Sequence, residues 1–355
     1  MPHDPDPVRP GGDSGLDLSI VVPAYNEEAR LAEGLARLDA AVDAGAVDPE
    51  RTEVILVDDG STDGTAELAS RLLAVFPHHR VHRTTVNRGK GAAVRTGIGL
   101  ARGAACAHMD ADMAIDPRSV ADLRSGLHHH DVVIGSRALA GSMVDGRYIV
   151  RSLMGRLFNR LVTIGTGLRF ADTQCGFKGF RTPVARLLFH LVEIDRFAFD
   201  VEVLARAAEL GLDIAEIPVH WKNVPGSSIH PLHDAVTMVR DVALVRLDPS
   251  RRPTVTMLTV PHRRDPAGDG AARVLADLVT GRIGPVPLPV VRTPTSTSVL
   301  LALVEPVTVA AICAQARQEL AGDGVDIRRM RAADLARAGS LRGNVGSILG
   351  LAGRA

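Results

Sequence analysis

Ala104-Ala105-Cys106-Ala107-His108-Met109-Asp110-Ala111-Asp112 is a short run of small and apolar residues that stops on two carboxylates one residue apart. With His108 its one polar member before Asp110, the run reads as a buried strand ending at the acidic pair. In an open α/β sheet, ligands bind outside the carboxyl ends of the strands. Two carboxylates fixed there suit a hard divalent cation, Mg²⁺ or Mn²⁺, which can bridge to phosphates. An Asp-x-Asp tripeptide also occurs in ordinary loops, so its meaning depends on its surroundings.

Working outward, Leu18 to Pro23 is a continuous apolar run, as expected of a strand buried on both faces in a parallel sheet. Ala24 to Glu28 follows as a loop, then a helix from about Ala29 to Ala44, with Leu31, Leu35, Leu38 and Val42 at helical spacing. Val54 to Val57 is a second strand, ending at Asp58-Asp59-Gly60-Ser61-Thr62-Asp63-Gly64. Asp63 is expected to cap the next helix, Thr65 to Val75. Arg80 to Thr85 is a third strand, and Asn87-Arg88-Gly89-Lys90-Gly91 turns into a helix over Ala92 to Arg102. The pattern β-α-β-α-β-α-β predicts a doubly wound, mostly parallel α/β sheet. Right-handed crossovers line up its loops, so that Tyr25 to Glu27, Asp58 to Asp59 and Asp110 to Asp112 converge on one ligand. Gly89-Lys90-Gly91 lacks P-loop spacing, but a lysine at a helix N-terminus offers charge to a diphosphate.

Composition narrows the field. The chain has 355 residues, long enough for two domains, and is 46% hydrophobic and 23% charged, which is globular. Its 41 basic and 41 acidic residues cancel, and aromatics are only 3%, so neither field nor stacking platforms argue for nucleic acid. Cys106, Cys175 and Cys313 lie far apart and read as free thiols of a reducing compartment. No apolar run approaches the ~20 residues of a membrane span. Residues 1–15, rich in Pro, Asp and Gly, read as a disordered leader without a signal-peptide core.

Several stretches in order now carry a resemblance. Val21-Val22-Pro23-Ala24-Tyr25-Asn26-Glu27, Val57-Asp58-Asp59-Gly60-Ser61-Thr62-Asp63, Asn87 to Gly91 and Asp110-Ala111-Asp112 resemble glycosyltransferase family 2, with its GT-A fold. Gly135-Ser136-Arg137, Asp172-Thr173-Gln174-Cys175-Gly176-Phe177-Lys178, Arg196 to Glu202 and Glu216 to Trp221 resemble the polyprenyl-phosphate sugar synthases, nearest the dolichyl-phosphate β-glucosyltransferase branch. The resemblance covers roughly residues 17–248. It implies an inverting, metal-dependent transfer of a hexose from UDP-glucose or GDP-mannose to a polyprenyl phosphate, with glucose favoured.

The same resemblance assigns roles. Pro23, Tyr25, Glu27 and Asp58 would hold the nucleoside, Lys90 the diphosphate, and Asp110 and Asp112 the metal. Arg137 would meet a phosphate of donor or acceptor. Asp172, Gln174, Lys178 and Lys222 fall on the acceptor side. An acceptor phosphate is already an anion and needs no strong base; an alcohol would need one, and Asp172 and Glu202 are the candidates. Two departures stand out. Ala114 stands where mannose-transferring relatives often carry Gln, and Pro225-Gly226-Ser227-Ser228 ends in serine where relatives read lysine. The second leaves open a soluble acceptor such as a natural product. A non-enzymatic nucleotide-binding scaffold with a degenerate site is a third reading, opposed by the intact acidic pair.

Residues 148–169 interleave apolar residues with Arg151, Arg156, Arg160 and Arg169. They read as a basic amphipathic helix for an anionic membrane surface, placing the protein peripherally on the cytoplasmic face. His128-His129-His130 reads as a helix end, since consecutive histidines do not share a helix face. The expected domains are a glycosyltransferase domain over 16–249, a small α+β module over 250–330 and a short helix with tail over 331–355. The module is expected to hold strands 254–260, 286–291, 299–304 and 325–328 and helices 271–280 and 307–320. That βαββαβ order is ferredoxin-like and suits a partner or a second copy of the chain.

Overall fold

The structure is a computed structural model that describes residues 15–145, 159–160, 162–163, 166–222, 224, 241, 254–261, 290–292, 296–300, 306–319 and 326–331. The chain divides into two compact units, one of residues 13–208 and 212–251 and one that contains 252–355. The expected leader, most of the basic helix 148–169, the Pro225 to Ser228 segment, helix 271–280 and the tail lie outside the described residues.

The first unit runs β1 (Leu18–Ala24), α1 (Glu28–Asp43), β2 (Thr52–Asp58), α2 (Thr65–Leu72), a 3₁₀ turn (Leu73–Val75), β3 (His79–Arg83), α3 (Lys90–Leu100) and β4 (Ala105–Met109). It continues with α4 (Ser119–Leu127), β5 (Val132–Ser136), β6 (Met143–Asp145), β7 (Phe177–Arg181), α5 (Thr182–Leu191), α6 (Phe199–Glu209), β8 (Ile214–Pro218) and β9 (His220–Lys222). Seven strands form one sheet in the order β3-β2-β1-β4-β7-β5-β8. Only β7 is reversed, pairing antiparallel with β4 and β5. β6 and β9 form a small parallel pair beside it.

The apolar runs explain the core. β1 and β2 are buried at every position, as continuous hydrophobic strands of a covered sheet must be. α1 turns Leu31, Leu35 and Leu38 inward at the spacing its sequence announces. Asp63 accepts from Thr65 N (3.1 Å) but stands one residue before the N-cap, Gly64. β3 stops at Arg83, two residues short of its expected end, and α3 begins at Lys90, two residues early. α4 ends at Leu127, so the histidine triplet follows a helix end as expected.

Register sets the two edges. Ala24 pairs with Asp58, and Leu18 to Val21 pair with Ala105 to His108. The loops after β1, β2 and β4 therefore leave neighbouring strands on the same edge, where the strand order reverses between β1 and β4. At the opposite edge Glu53 is fully buried, accepting from Ser19 Oγ (2.9 Å), Arg102 N (3.0 Å) and Arg102 Nε (2.8 Å).

The second unit contains β10 (Thr254–Pro261), β11 (Val290–Arg292), β12 (Ser296–Leu300), α7 (Pro306–Glu319) and β13 (Asp326–Arg331). Its sheet order is β11-β12-β10-β13, antiparallel at every pairing. β12 begins three residues before the expected 299.

Candidate active site

The loops after β1 and β2 are laced together by short polar residues. Asn26, in the left-handed region at φ 52°, donates its N–H to Ser61 Oγ (2.9 Å), and its Oδ1 accepts from Thr62 N (2.9 Å). Glu27 N donates to Thr65 Oγ1 (2.8 Å). These bonds fix the loop after β1 against the loop after β2. Pro23 is buried beneath them, and Tyr25 is 44% exposed. Asp58 is fully buried; Oδ1 accepts from Ser61 N (3.0 Å), while Oδ2 lies 3.2 Å from Arg83 Nε.

Asp59 ties the loop after β2 to the lysine loop. It accepts from Arg88 N (3.1 Å) and Gly89 N (2.6 Å). Gly89 has φ +112°, and a Cβ there would lie 2.5 Å from Asp195 O, so both the turn and the close approach require glycine. Lys90 is thereby aimed at the acidic pair: its Nζ lies 2.6 Å from Asp110 Oδ1.

The acidic pair itself is crowded with charge. Asp112 Oδ1 accepts from Ala114 N (3.1 Å), and Oδ2 lies 3.8 Å from Arg30 Nη1. Arg30 also binds Glu27 Oε1 (2.5 Å), and Arg37 Nη1 donates to Met113 O (3.1 Å), holding the loop from behind. Burial, and then the charge of Asp110, raise the Asp112 carboxyl above its usual range. Burial pushes Glu27 up to about 7 against the opposing pull of Arg30. Its Oε2 is buried with no hydrogen-bond partner among the described residues. Two repelling carboxylates at a strand end fit a hard divalent cation. Among the described residues no third His, Cys, Asp or Glu completes a protein-only site, so phosphate oxygens and water would fill the other positions.

The acceptor-side expectations fare differently. Arg137 forks onto Asp172, Nε to Oδ2 at 2.6 Å and Nη2 to Oδ1 at 3.0 Å. Burial would raise Asp172, but the Arg137 charge and hydrogen bonds outweigh it and hold the carboxyl below its usual range. That makes it a poor base. Glu202 is no better placed: it accepts from Ile194 N (2.8 Å) and Arg206 Nη2 (3.0 Å) and serves the fold. Gln174 is half-buried and Asp172 buried beside it.

Lys178 corrects the expectation that it meets an acceptor. It is completely buried, its Nζ donating to Cys175 O (2.7 Å) and Asp200 Oδ1 (2.6 Å). Lys222 is exposed on β9 and lines an open groove of about 450 Å³ with Arg37, Met113, Arg118 and Trp221. Asp59 stands where the sequence places it, in the strand-end loop with Asp58. Arg30, Arg37, Arg83 and Asp200 carry no sequence signal of their role, and of these only Asp200 lies in a motif stretch, Arg196 to Glu202.

A buried carboxylate, a lysine at a helix start and an acidic pair therefore lie along one sheet edge. The model of glycosyl transferase family 2 matches residues 19–189. A dolichyl-phosphate beta-glucosyltransferase of Dictyostelium discoideum is 35% identical over 243 residues, 64% of this chain and 73% of that protein. The chain belongs to glycosyltransferase family 2. A dolichyl-phosphate beta-glucosyltransferase of Homo sapiens is 37% identical over 245 residues, 65% of this family 2 chain and 75% of that protein. A solved structure, glucosyl-3-phosphoglycerate synthase from Mycobacterium tuberculosis with Mn²⁺, UDP and glucosyl-3-phosphoglycerate, superposes with a TM-score of 0.50 at 22% identity. It covers 69% of this chain and 88% of that one, a likeness of fold.

Proposed function

We propose that the protein transfers glucose from UDP-glucose to a dolichyl or other polyprenyl phosphate, with inversion at the anomeric carbon. One observation carries this reading: Asp58, Lys90, Asp110 and Asp112 line one sheet edge in a chain 35% and 37% identical to proteins named for that activity.

The uridine donor is supported by Asp58. With Oδ1 occupied by Ser61 N, one oxygen remains, beside the Arg83 guanidinium. Uracil presents a single ring N–H between two carbonyls, matching one acceptor beside one donor. Glu27 Oε2 offers the ribose hydroxyls an acceptor not used within the chain.

Asp110 and Asp112 would hold Mg²⁺ or Mn²⁺, which supplies Lewis-acid stabilisation of the departing diphosphate. Lys90 adds a fixed positive charge on the same side. The acceptor phosphate attacks as an anion, and a depressed Asp172 suits a reaction without a general base. What remains for the chain is positioning and charge.

Among the described residues no helix is long and apolar enough to cross a membrane. Residues 148–169 would bring the lipid acceptor to the site from an anionic surface. The strand order of the second unit supports a ferredoxin-like module, which would serve a partner or a second copy of the chain.

The test is incubation of the protein and Mn²⁺ with labelled UDP-glucose or GDP-mannose and dolichyl phosphate. Label from UDP-glucose in the organic phase is expected. Label from GDP-mannose alone would overturn the donor assignment, and no lipid-extractable label from either would overturn the acceptor.

A further inference from the structure

Beneath the acidic pair lies a cluster that the transfer reaction, as described so far, does not use. Asp200 opens α6 and is buried. Its Oδ1 receives Lys178 Nζ at 2.6 Å and faces His108 Nε2 at 3.4 Å. Its Oδ2 lies 4.0 Å from Lys90 Nζ. The Lys90 ammonium is thus boxed by Asp110 (2.6 Å), Asp200 and the ring of Phe199, whose centroid is 5.9 Å away.

These partners differ in their freedom. The Asp110 side chain is 42% exposed, at the sheet edge where the donor would bind. Asp200 is 6% exposed, and Lys178, itself pinned to Cys175 O, closes it from behind. The cluster therefore balances two lysines against two carboxylates. Once Asp110 is engaged by a donor and its counter-ion, one uncompensated positive charge is left on Lys90, facing the diphosphate.

A buried ion pair gives little stability over apolar residues of the same size. A role for the Lys178–Asp200 pair is therefore to be sought in what it holds. We propose that Asp200, backed by Lys178, is a positioning residue that fixes the Lys90 ammonium for the donor diphosphate. Asp200 touches neither donor nor acceptor; it keeps Lys90 in place when Asp110 turns away. This inference rests on the reading of Lys90 as a diphosphate contact.

The experiment is calorimetric titration of the full chain with UDP and Mn²⁺, the condition in which Asp110 is drawn away from Lys90. Lys90→Met and Asp200→Asn are each expected to weaken UDP about tenfold, and the double variant no more than Lys90→Met alone. In turnover, Asp200→Asn is expected to raise KM for UDP-glucose and leave KM for dolichyl phosphate unchanged.

Because Asp200→Asn strands a buried lysine, Asp200→Leu/Lys178→Met is the second variant. It is expected to melt like the wild type and still bind UDP weakly. Wild-type affinity in Asp200→Asn, multiplied losses in the double variant, or full recovery of affinity in Asp200→Leu/Lys178→Met would each overturn the proposal. A wild-type chain that does not bind UDP would instead overturn the functional reading beneath it.

Discussion

Glu53 and Glu27 belong to opposite edges of the same sheet, and each is a glutamate beside an arginine, Glu53 fully buried and Glu27 half-buried. Glu53 has both oxygens matched from within the chain, by Ser19 Oγ and by the backbone and side chain of Arg102. Glu27 has one oxygen on Arg30 and the other without a hydrogen-bond partner among the described residues. Folded chains match nearly all their buried polar atoms, so an unmatched one needs a reason. At the amino edge the carboxylate closes the scaffold. At the carboxyl edge the chain stops short of closing, and a ligand can supply the missing donors.

The two edges are expected to respond to mutation in opposite ways. Asp112→Asn is expected to lower turnover by about 10²–10³-fold or more, the scale for removing one electrostatic stabiliser of a transition state. Its melting temperature should scarcely move, because Asp112 is already held above the usual carboxylate range by burial and by Asp110. Turnover and thermal melting of the same preparation check both halves. A large drop in melting temperature would make Asp112 part of the scaffold.

Glu53→Gln is expected to do the reverse. It places an amide donor against donors already there, and breaking a buried ionic contact costs about 3–5 kcal/mol at most, less here because Arg102 is 39% exposed. A melting temperature lower by several degrees is expected, with kcat and KM unchanged in the cold. Altered kinetics with normal melting would erase the distinction between the edges.

Much of this division was legible beforehand. The apolar runs of β1 and β2 announce buried strands, and a strand ending in Asp110-Ala111-Asp112 announces a ligand edge. What could not be read is which charges point inward. Lys178 stands in β7, whose neighbours Phe177, Gly179 and Phe180 are all buried. A lysine in such a strand needs a buried anion, and that anion is Asp200, 22 residues away on another element. Arg137 is a second such charge. Its partner Asp172 is 35 residues distant and joins it only through the fold. Local pattern fixes the period of an element, whereas pairing of distant charges depends on the packing of the whole unit.

The unmatched Glu27 oxygen also predicts a small pH dependence of stability. Burial raises the Glu27 carboxyl from 4.5 to about 7. Between those values the folded chain binds more protons at this site than the unfolded chain. Stability from this group therefore falls as pH rises from about 4.5 to 7 and stays level above that. Glu27→Gln removes the proton and with it the slope. Melting temperatures measured from pH 5 to pH 8 should fall more steeply in the wild type than in Glu27→Gln, by a few degrees across the window. UDP should reduce the difference, since ribose hydroxyls donating to Oε2 would favour the charged form and draw the folded-state value down. Parallel profiles for the two proteins would mean that the unmatched oxygen costs the fold nothing. The contrast with Glu53 would then rest on kinetics alone.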